Sequence, residues 1–258
     1  MDGTLDDLLA DVASGRLAAA DVAAVLRYLG YAAVGDFARL DVGRAGRTGT
    51  PEIVYAESKT GDQLAAIVDR YLEHSDVVLC SRASAEQARA IAAAQPEAEY
   101  DARSRMLVVR RPGAAAPAAR GVAGVLAAGT SDVAIAEEAA AVCRAMGVGV
   151  VSAYDVGVAG LHRLAGPLDE MHAAGAAAIV VAAGMEGALP SVVCGLVDVP
   201  VIGLPTSTGY GLGGRGEAAL LGMLQSCSPG LVVVNIDNGV GAGATAALIA
   251  RGAARAAS

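Results

Sequence analysis

The sequence predicts an α/β protein: a C-terminal flavodoxin-like domain of three layers, its parallel sheet held between helices, preceded by a smaller α/β domain. Three observations predict it. In the second half, short continuous runs of Val, Ile, Leu and Ala alternate with helix-length segments, the pattern of parallel strands buried on both faces. The 258 residues are 54% hydrophobic but only 3% aromatic, as expected where aliphatic helices pack on a buried sheet. The segment RRPGAAAPAAR at 110–120 has no periodicity and is rich in Pro, Gly and Ala, which marks a linker. Residues 1–115 then form the small domain and 116–258 the larger one.

The elements follow in order. Helices are expected near 3–14 and 20–29, the first ended by Ser-Gly and the second with Asp21 near its start. A less regular stretch, LDVGRAGRTGTPEIVYAESKT, comes next. Strands at 52–56, 76–80 and 106–110 are separated by helices at 61–74 and 83–94. Beyond the linker the strands are GVAGVLAAG, VGVVSAY, AAAIVVAAG, VPVIGLP and LVVVNID, with helices near 132–146, 165–174, 187–196, 214–226 and 243–255.

Composition excludes several classes. Net charge is -8, which opposes a nucleic-acid partner held on a broad basic face. The acidic start, MDGTLDDLLADV, does not read as a signal peptide, and no uninterrupted apolar run reads as a membrane span. Four cysteines without CxxC or Cys/His spacing indicate reduced thiols and a cytoplasmic protein. Residues 1–115 hold 13 of the 19 Lys and Arg and 17 of the 27 Asp and Glu, so the second half is nearly uncharged. That predicts burial against further copies of the chain, or else a surface covered by Ala and Gly.

Ligands of parallel α/β sheets gather at the carboxyl ends of the strands. The first end carries Thr130, Ser131 and Asp132, which read either as helix N-caps or as an anion cradle. The second brings Asp155, His162 and Arg163 into an otherwise neutral region; a lone histidine is more often structural than catalytic. The third carries Glu186, either a solvated helix-start residue, a base or a metal ligand. Asp155 and Glu186 are hard oxygen donors of the kind Mg²⁺ uses beside phosphates. The fourth is a Gly-rich loop, with Thr206, Ser207 and Thr208 followed by Gly209, Gly211, Gly213 and Gly214, suited to close approach of a phosphate but lacking the Walker ending. The fifth holds Asn235, Asp237 and Asn238. Cys227 precedes that strand in QSCSPG, between two serines. It reads either as a small buried hydrophobe or as a nucleophile, and a helix C-terminus opposes its thiolate unless a cation assists.

Taken together, GTSD, AGMEGALPSVVCGLVDVPVIGLPTSTGYG and NIDNGVGAG resemble the LarB family, whose members begin synthesis of the nickel-pincer nucleotide cofactor. The likeness extends to LDVGRAGRTGTPEIVYAESK in the first half. The second half also resembles the carboxylases and mutases of phosphoribosylaminoimidazole. Where those purine enzymes carry histidines in SAHR and AAHLP, this chain has Tyr154 and Ala188, which speaks against their chemistry. The resemblance implies carboxylation of the pyridinium C5 of nicotinic acid adenine dinucleotide and cleavage of its phosphoanhydride. The products would be pyridinium-3,5-biscarboxylic acid mononucleotide and AMP. It implies Cys227 as a covalent nucleophile, Glu186 and Asp155 as catalytic carboxylates or Mg²⁺ ligands, and the 130–132, 206–214 and 235–238 segments, with His162, as the substrate site. It further implies CO₂ or bicarbonate as co-substrate, Mg²⁺ without an organic cofactor, and a homo-octamer or other homo-oligomer. The alternatives are a phosphoribosylaminoimidazole carboxylase or mutase, and a nucleotide-binding protein without catalysis.

Overall fold

The structure, a computed structural model, describes residues 5–26, 31–115 and 117–257. Helices α1 (Leu5–Ala13) and α2 (Ala19–Leu26) come first, and the outer ends of the helices expected at 3–14 and 20–29 lie outside the described residues. A short antiparallel ribbon follows, β1 (Ala32–Val34) with β2 (Ala38–Leu40), and then α3 (Arg44–Thr48) in the stretch read as irregular.

The small mixed sheet comprises β3 (Ile53–Tyr55), β4 (Val77–Ser81), β5 (Ala98–Asp101) and β6 (Met106–Arg110), in the order β3-β4-β6-β5. The helices α4 (Gly61–Leu72) and α5 (Ala85–Ala94) cover one of its faces. Each begins with a reciprocal capping box, Thr60 with Gln63 and Ser84 with Gln87, which satisfies N–H groups that a helix start leaves unpaired. Strand β5 was not expected. Its sequence, AEYD, is polar and lies at the sheet edge, so only its pairing with β6 reveals it.

Beyond residue 121 the chain alternates β7 (Val122–Ala127), α6 (Val133–Ala145), β8 (Gly149–Tyr154), α7 (Ala165–Ala173), β9 (Ala176–Ala183), α8 (Ala188–Cys194), β10 (Val201–Pro205), α9 (Glu217–Leu224), β11 (Leu231–Val233) and α10 (Gly239–Ala257). All five strands are parallel, in the order β11-β10-β9-β7-β8, the flavodoxin-like arrangement the sequence predicts. Alternate residues of each strand serve opposite layers. Val125, Val180 and Leu204 pack under α6 and α10, whereas Leu126, Val181 and Ile179 pack under α7, α8 and α9. Each such fully buried aliphatic side chain stabilises the fold by about 2 kcal/mol.

Helix α6 serves both sheets. Leu79 and Met106 of the small sheet share a core with Val133, Ala136 and Ala140 of that helix. The two units therefore meet along α6. Among the described residues, no helix is long and apolar enough to cross a membrane.

Candidate active site

The carboxyl ends of β7, β8 and β9 open into a cleft of about 380 Å³. It is lined by Ser131, Asp132, Asp155, Arg163, Glu186 and Thr208, together with backbone at Gly129, Gly157 and Gly184. Five of the predicted residues thus converge. The backbone turns sharply after β8 and β9, where Asp155 and Met185 adopt φ of 58° and 53°, as it does after β11, where Asp237 has φ of 55°. Such left-handed non-glycine positions cost about 1 kcal/mol or more each and concentrate at functional sites.

Asp132 is 4% exposed, and its carboxylate points inward. One oxygen accepts the Gly129 N–H at 2.9 Å and the other the Thr206 hydroxyl at 2.5 Å. It ties the first strand end to the Gly-rich loop. Ser131, exposed beside it, lines the same cleft. Thr208 continues the tie: its hydroxyl donates to the Ser131 carbonyl at 3.4 Å, and its own carbonyl accepts the Met185 N–H at 2.9 Å. Gly184 makes this approach possible, since a Cβ there would lie 2.2 Å from the Thr208 carbonyl oxygen.

Arg163 is the cation of the cleft. It pairs with Asp155 at 2.9 Å and donates to the carbonyls of Gly157 and Gly160 at 3.3 and 3.4 Å. Three acceptors thus hold its guanidinium in the cleft. The sequence presents Arg163 only as a charge beside His162. The pinning by two carbonyls, which distinguishes it, exists only in the folded turn. His162 and Thr130 are exposed and do not line the cleft. Glu186 is exposed at its mouth.

The remaining glycines divide by position. Gly209 lies beside Met185, while Gly211 and Gly214 form a turn, with the Gly214 N–H on the Gly211 carbonyl at 3.3 Å. Gly213 packs on Ala218, where a Cβ would sit 2.2 Å from the Ala218 Cβ. The loop tip exposes Tyr210 and Leu212. Asn235 is exposed and accepts the Ile236 N–H, and Asn238 accepts the Gly241 N–H at the start of α10. Asp237 and Asn238 line a separate cleft of about 350 Å³ beside Arg82 and Glu138.

The four thiols differ in kind. Cys80 and Cys143 are buried, and burial pushes both up to about 12. Burial also raises Cys194, whose Sγ donates to the Pro229 carbonyl at 3.1 Å. Cys227 alone is exposed. Its loop is pinned to α8: the Ser191 hydroxyl lies 2.8 Å from that of Ser226, and the Ser228 hydroxyl donates to the Ser191 carbonyl at 3.1 Å. This corner belongs to the amino end of the sheet, where the Val201 N–H meets the Gly230 carbonyl. Five residues of β10 separate that level from Thr206, about 16 Å at the strand rise. Helix α9 also intervenes, packed so tightly on the Glu186–Gly187 turn that a Cβ at Gly222 would lie 2.4 Å from the Glu186 carbonyl oxygen. The fold therefore does not bring Cys227 into the cleft of its own chain.

At the place of the purine enzymes' SAHR histidine, the Tyr154 hydroxyl donates to Glu137 at 2.5 Å and turns towards α6; burial pushes it up to about 12. Ala188 lines the cleft and carries no titratable group. Among the described residues, no three His, Cys, Asp or Glu side chains gather as metal ligands. Asp155 and Glu186 do not amount to a protein-only metal site.

Known proteins agree with this architecture. Residues 31–111 match the LarB/PurE-like N-terminal domain, and residues 122–257 match the AIR carboxylase domain. An uncharacterised protein of Methanocaldococcus jannaschii is 38% identical over 256 residues, covering 97% of this chain and 98% of that protein. A small mixed α/β unit followed by a five-stranded parallel domain, each matched by its own family, places the chain in the LarB/PurE-like family of carboxylase-type proteins.

Proposed function

We propose that the protein carboxylates the pyridinium C5 of nicotinic acid adenine dinucleotide and cleaves the phosphoanhydride, releasing AMP and pyridinium-3,5-biscarboxylic acid mononucleotide. The observation that carries this reading is Cys227, the one exposed thiol, held rigidly by hydrogen bonds on both sides. A pyridinium carbon does not attack CO₂. Addition of the Cys227 thiolate at C6 breaks aromaticity and makes C5 the nucleophilic end of an enamine. C5 then bonds to CO₂, its proton leaves to a carboxylate or water, and expulsion of the thiolate restores the ring. One inaccessible step becomes two accessible ones. The ring's positive charge supplies the cation that favours the thiolate at a helix C-terminus.

In this reading the cleft holds the substrate's anionic groups. Arg163 meets a phosphate or carboxylate, Ser131 and Thr208 offer hydroxyls, and Glu186 takes the ring proton. Mg²⁺ would enter with the phosphates, held chiefly by them, and would neutralise charge on the leaving AMP.

Cys227 reaches such a cleft only from a second copy of the chain. Its surroundings fit one: Leu221 and Leu224 on α9 and Val232 on the edge strand β11 are 64%, 63% and 50% exposed. An apolar face around a nucleophile, in a half with few charges, is suited to burial between subunits. A homo-oligomer, with an octamer as one form, then completes the site. A phosphoribosylaminoimidazole mutase is disfavoured because Tyr154 and Ala188 offer no imidazole for proton transfer. The test is incubation with the dinucleotide, bicarbonate and Mg²⁺, followed by mass spectrometry. AMP and a mononucleotide heavier by one carboxylate are expected. Intact dinucleotide with folded protein would refute the reading.

A further inference from the structure

Besides α6 and a hydrogen bond from Arg251 of α10 to the Gly49 carbonyl, the small unit touches the larger one at the turn after β11. Arg82 follows β4 with φ of 54°, and its Nη2 donates to the Asp237 carbonyl at 2.9 Å, across 155 positions of sequence. Asp237 is itself left-handed, and its carboxylate accepts the Ser207 N–H at 2.8 Å while its own N–H reaches the Pro205 carbonyl at 2.9 Å. We propose that Arg82 is a positioning residue for the Gly-rich loop: it holds the 235–238 turn, and Asp237 in that turn holds Ser207 and so sets Thr206 and Thr208 against the cleft.

Several features support a tuned device rather than a chance contact. The guanidinium is fixed on its other side, 6.0 Å from the Tyr55 ring centroid. Glu138, 3% exposed, lines the same small cleft as Arg82 and faces the Gly239 and Val240 N–H groups at the start of α10, so the turn is flanked on both sides. Two non-glycine residues in left-handed conformations meet at one hydrogen bond, a geometry that persists only where the surroundings enforce it. Downstream, Thr206 donates to buried Asp132 and Thr208 to Ser131. The contacts run unbroken from the small unit to the cleft floor, giving the small unit a part in shaping a site to which it contributes no lining residue. Only the identity of the substrate rests on the function proposed above.

The test compares wild type, Arg82→Met, Arg82→Lys, Asp237→Gly and the double variant Arg82→Met/Asp237→Gly. Glycine keeps the left-handed backbone while removing the carboxylate. Hydrogen exchange at Ser207 should quicken about tenfold in Arg82→Met and in Asp237→Gly, and no further in the double variant, as for two residues acting through one contact. Arg82→Lys, which keeps one donor, should recover part of the protection. With the dinucleotide as substrate, KM should rise about tenfold while kcat stays within about twofold, the signature of lost ground-state positioning. Unchanged exchange at Ser207 in Arg82→Met, or additive effects in the double variant, would overturn the proposal even if the global midpoint fell. The exchange measurement needs no turnover, so an inactive wild type would sink the functional reading and leave this one to be decided.

Discussion

Glu138 offers a prediction whose size follows from burial. It is 3% exposed, and desolvation raises its pKa from 4.5 to about 7, against the lowering effect of Arg82 and the Gly239 and Val240 N–H groups. The folded state thus binds this proton more tightly than the unfolded state. Its contribution to stability is complete below pH 4.5 and is lost as pH rises towards about 7. A rise of that size corresponds to about 3 kcal/mol between the two ends of the window. Glu138→Gln keeps the shape and cannot ionise. Its advantage over wild type should therefore grow by about 3 kcal/mol between about pH 5 and pH 8. Denaturant unfolding of both proteins across that range reads the difference. Asp41 and Asp101, both held below the usual carboxylate range, act at lower pH. A stability difference that stays flat across the range would refute the reasoning.

Other consequences follow from single contacts. Of the four thiols, a thiol reagent should modify Cys227 first, and all four after unfolding; earlier modification of any other cysteine would contradict the burial of the other three. Gly184→Ala places a methyl 2.2 Å from the Thr208 carbonyl and should cost about 1–3 kcal/mol while displacing the loop. Denaturant midpoints and dinucleotide affinity should both fall, and retention of both would show that the contact yields. Thr206→Val removes the donor to buried Asp132 and should destabilise by about 1.5–3 kcal/mol, read by the same unfolding assay, where a loss under about 0.5 kcal/mol would contradict it.

Much of the larger domain is legible in the sequence because its strands are buried on both faces. Runs such as AAAIVVAA need no partner to be recognised, and their order fixes which ends carry Ser131, Asp155, Glu186 and Thr208. Strand β5 escapes because polar edge residues leave no pattern. The role of Asp132 escapes too. As a helix-start residue it reads as an N-cap or as part of an anion cradle, whereas its second oxygen accepts from Thr206, 74 positions away. Arg82 and Glu138 give no local signal, since their meaning depends on Asp237 far along the chain. The distance between Cys227 and its own cleft follows from the lengths of α9 and β10. The residue types carry no trace of it.

The central claim is that Cys227 sulfur makes the pyridinium C5 able to take up CO₂. It is tested most directly by comparing wild type with Cys227→Ala, each given the dinucleotide, Mg²⁺ and ¹³C-bicarbonate, and measuring label in the mononucleotide product. The account predicts ¹³C incorporation by wild type and none above background by Cys227→Ala, with the variant folded and still binding dinucleotide. Labelled product formed by Cys227→Ala at the wild-type rate would contradict it.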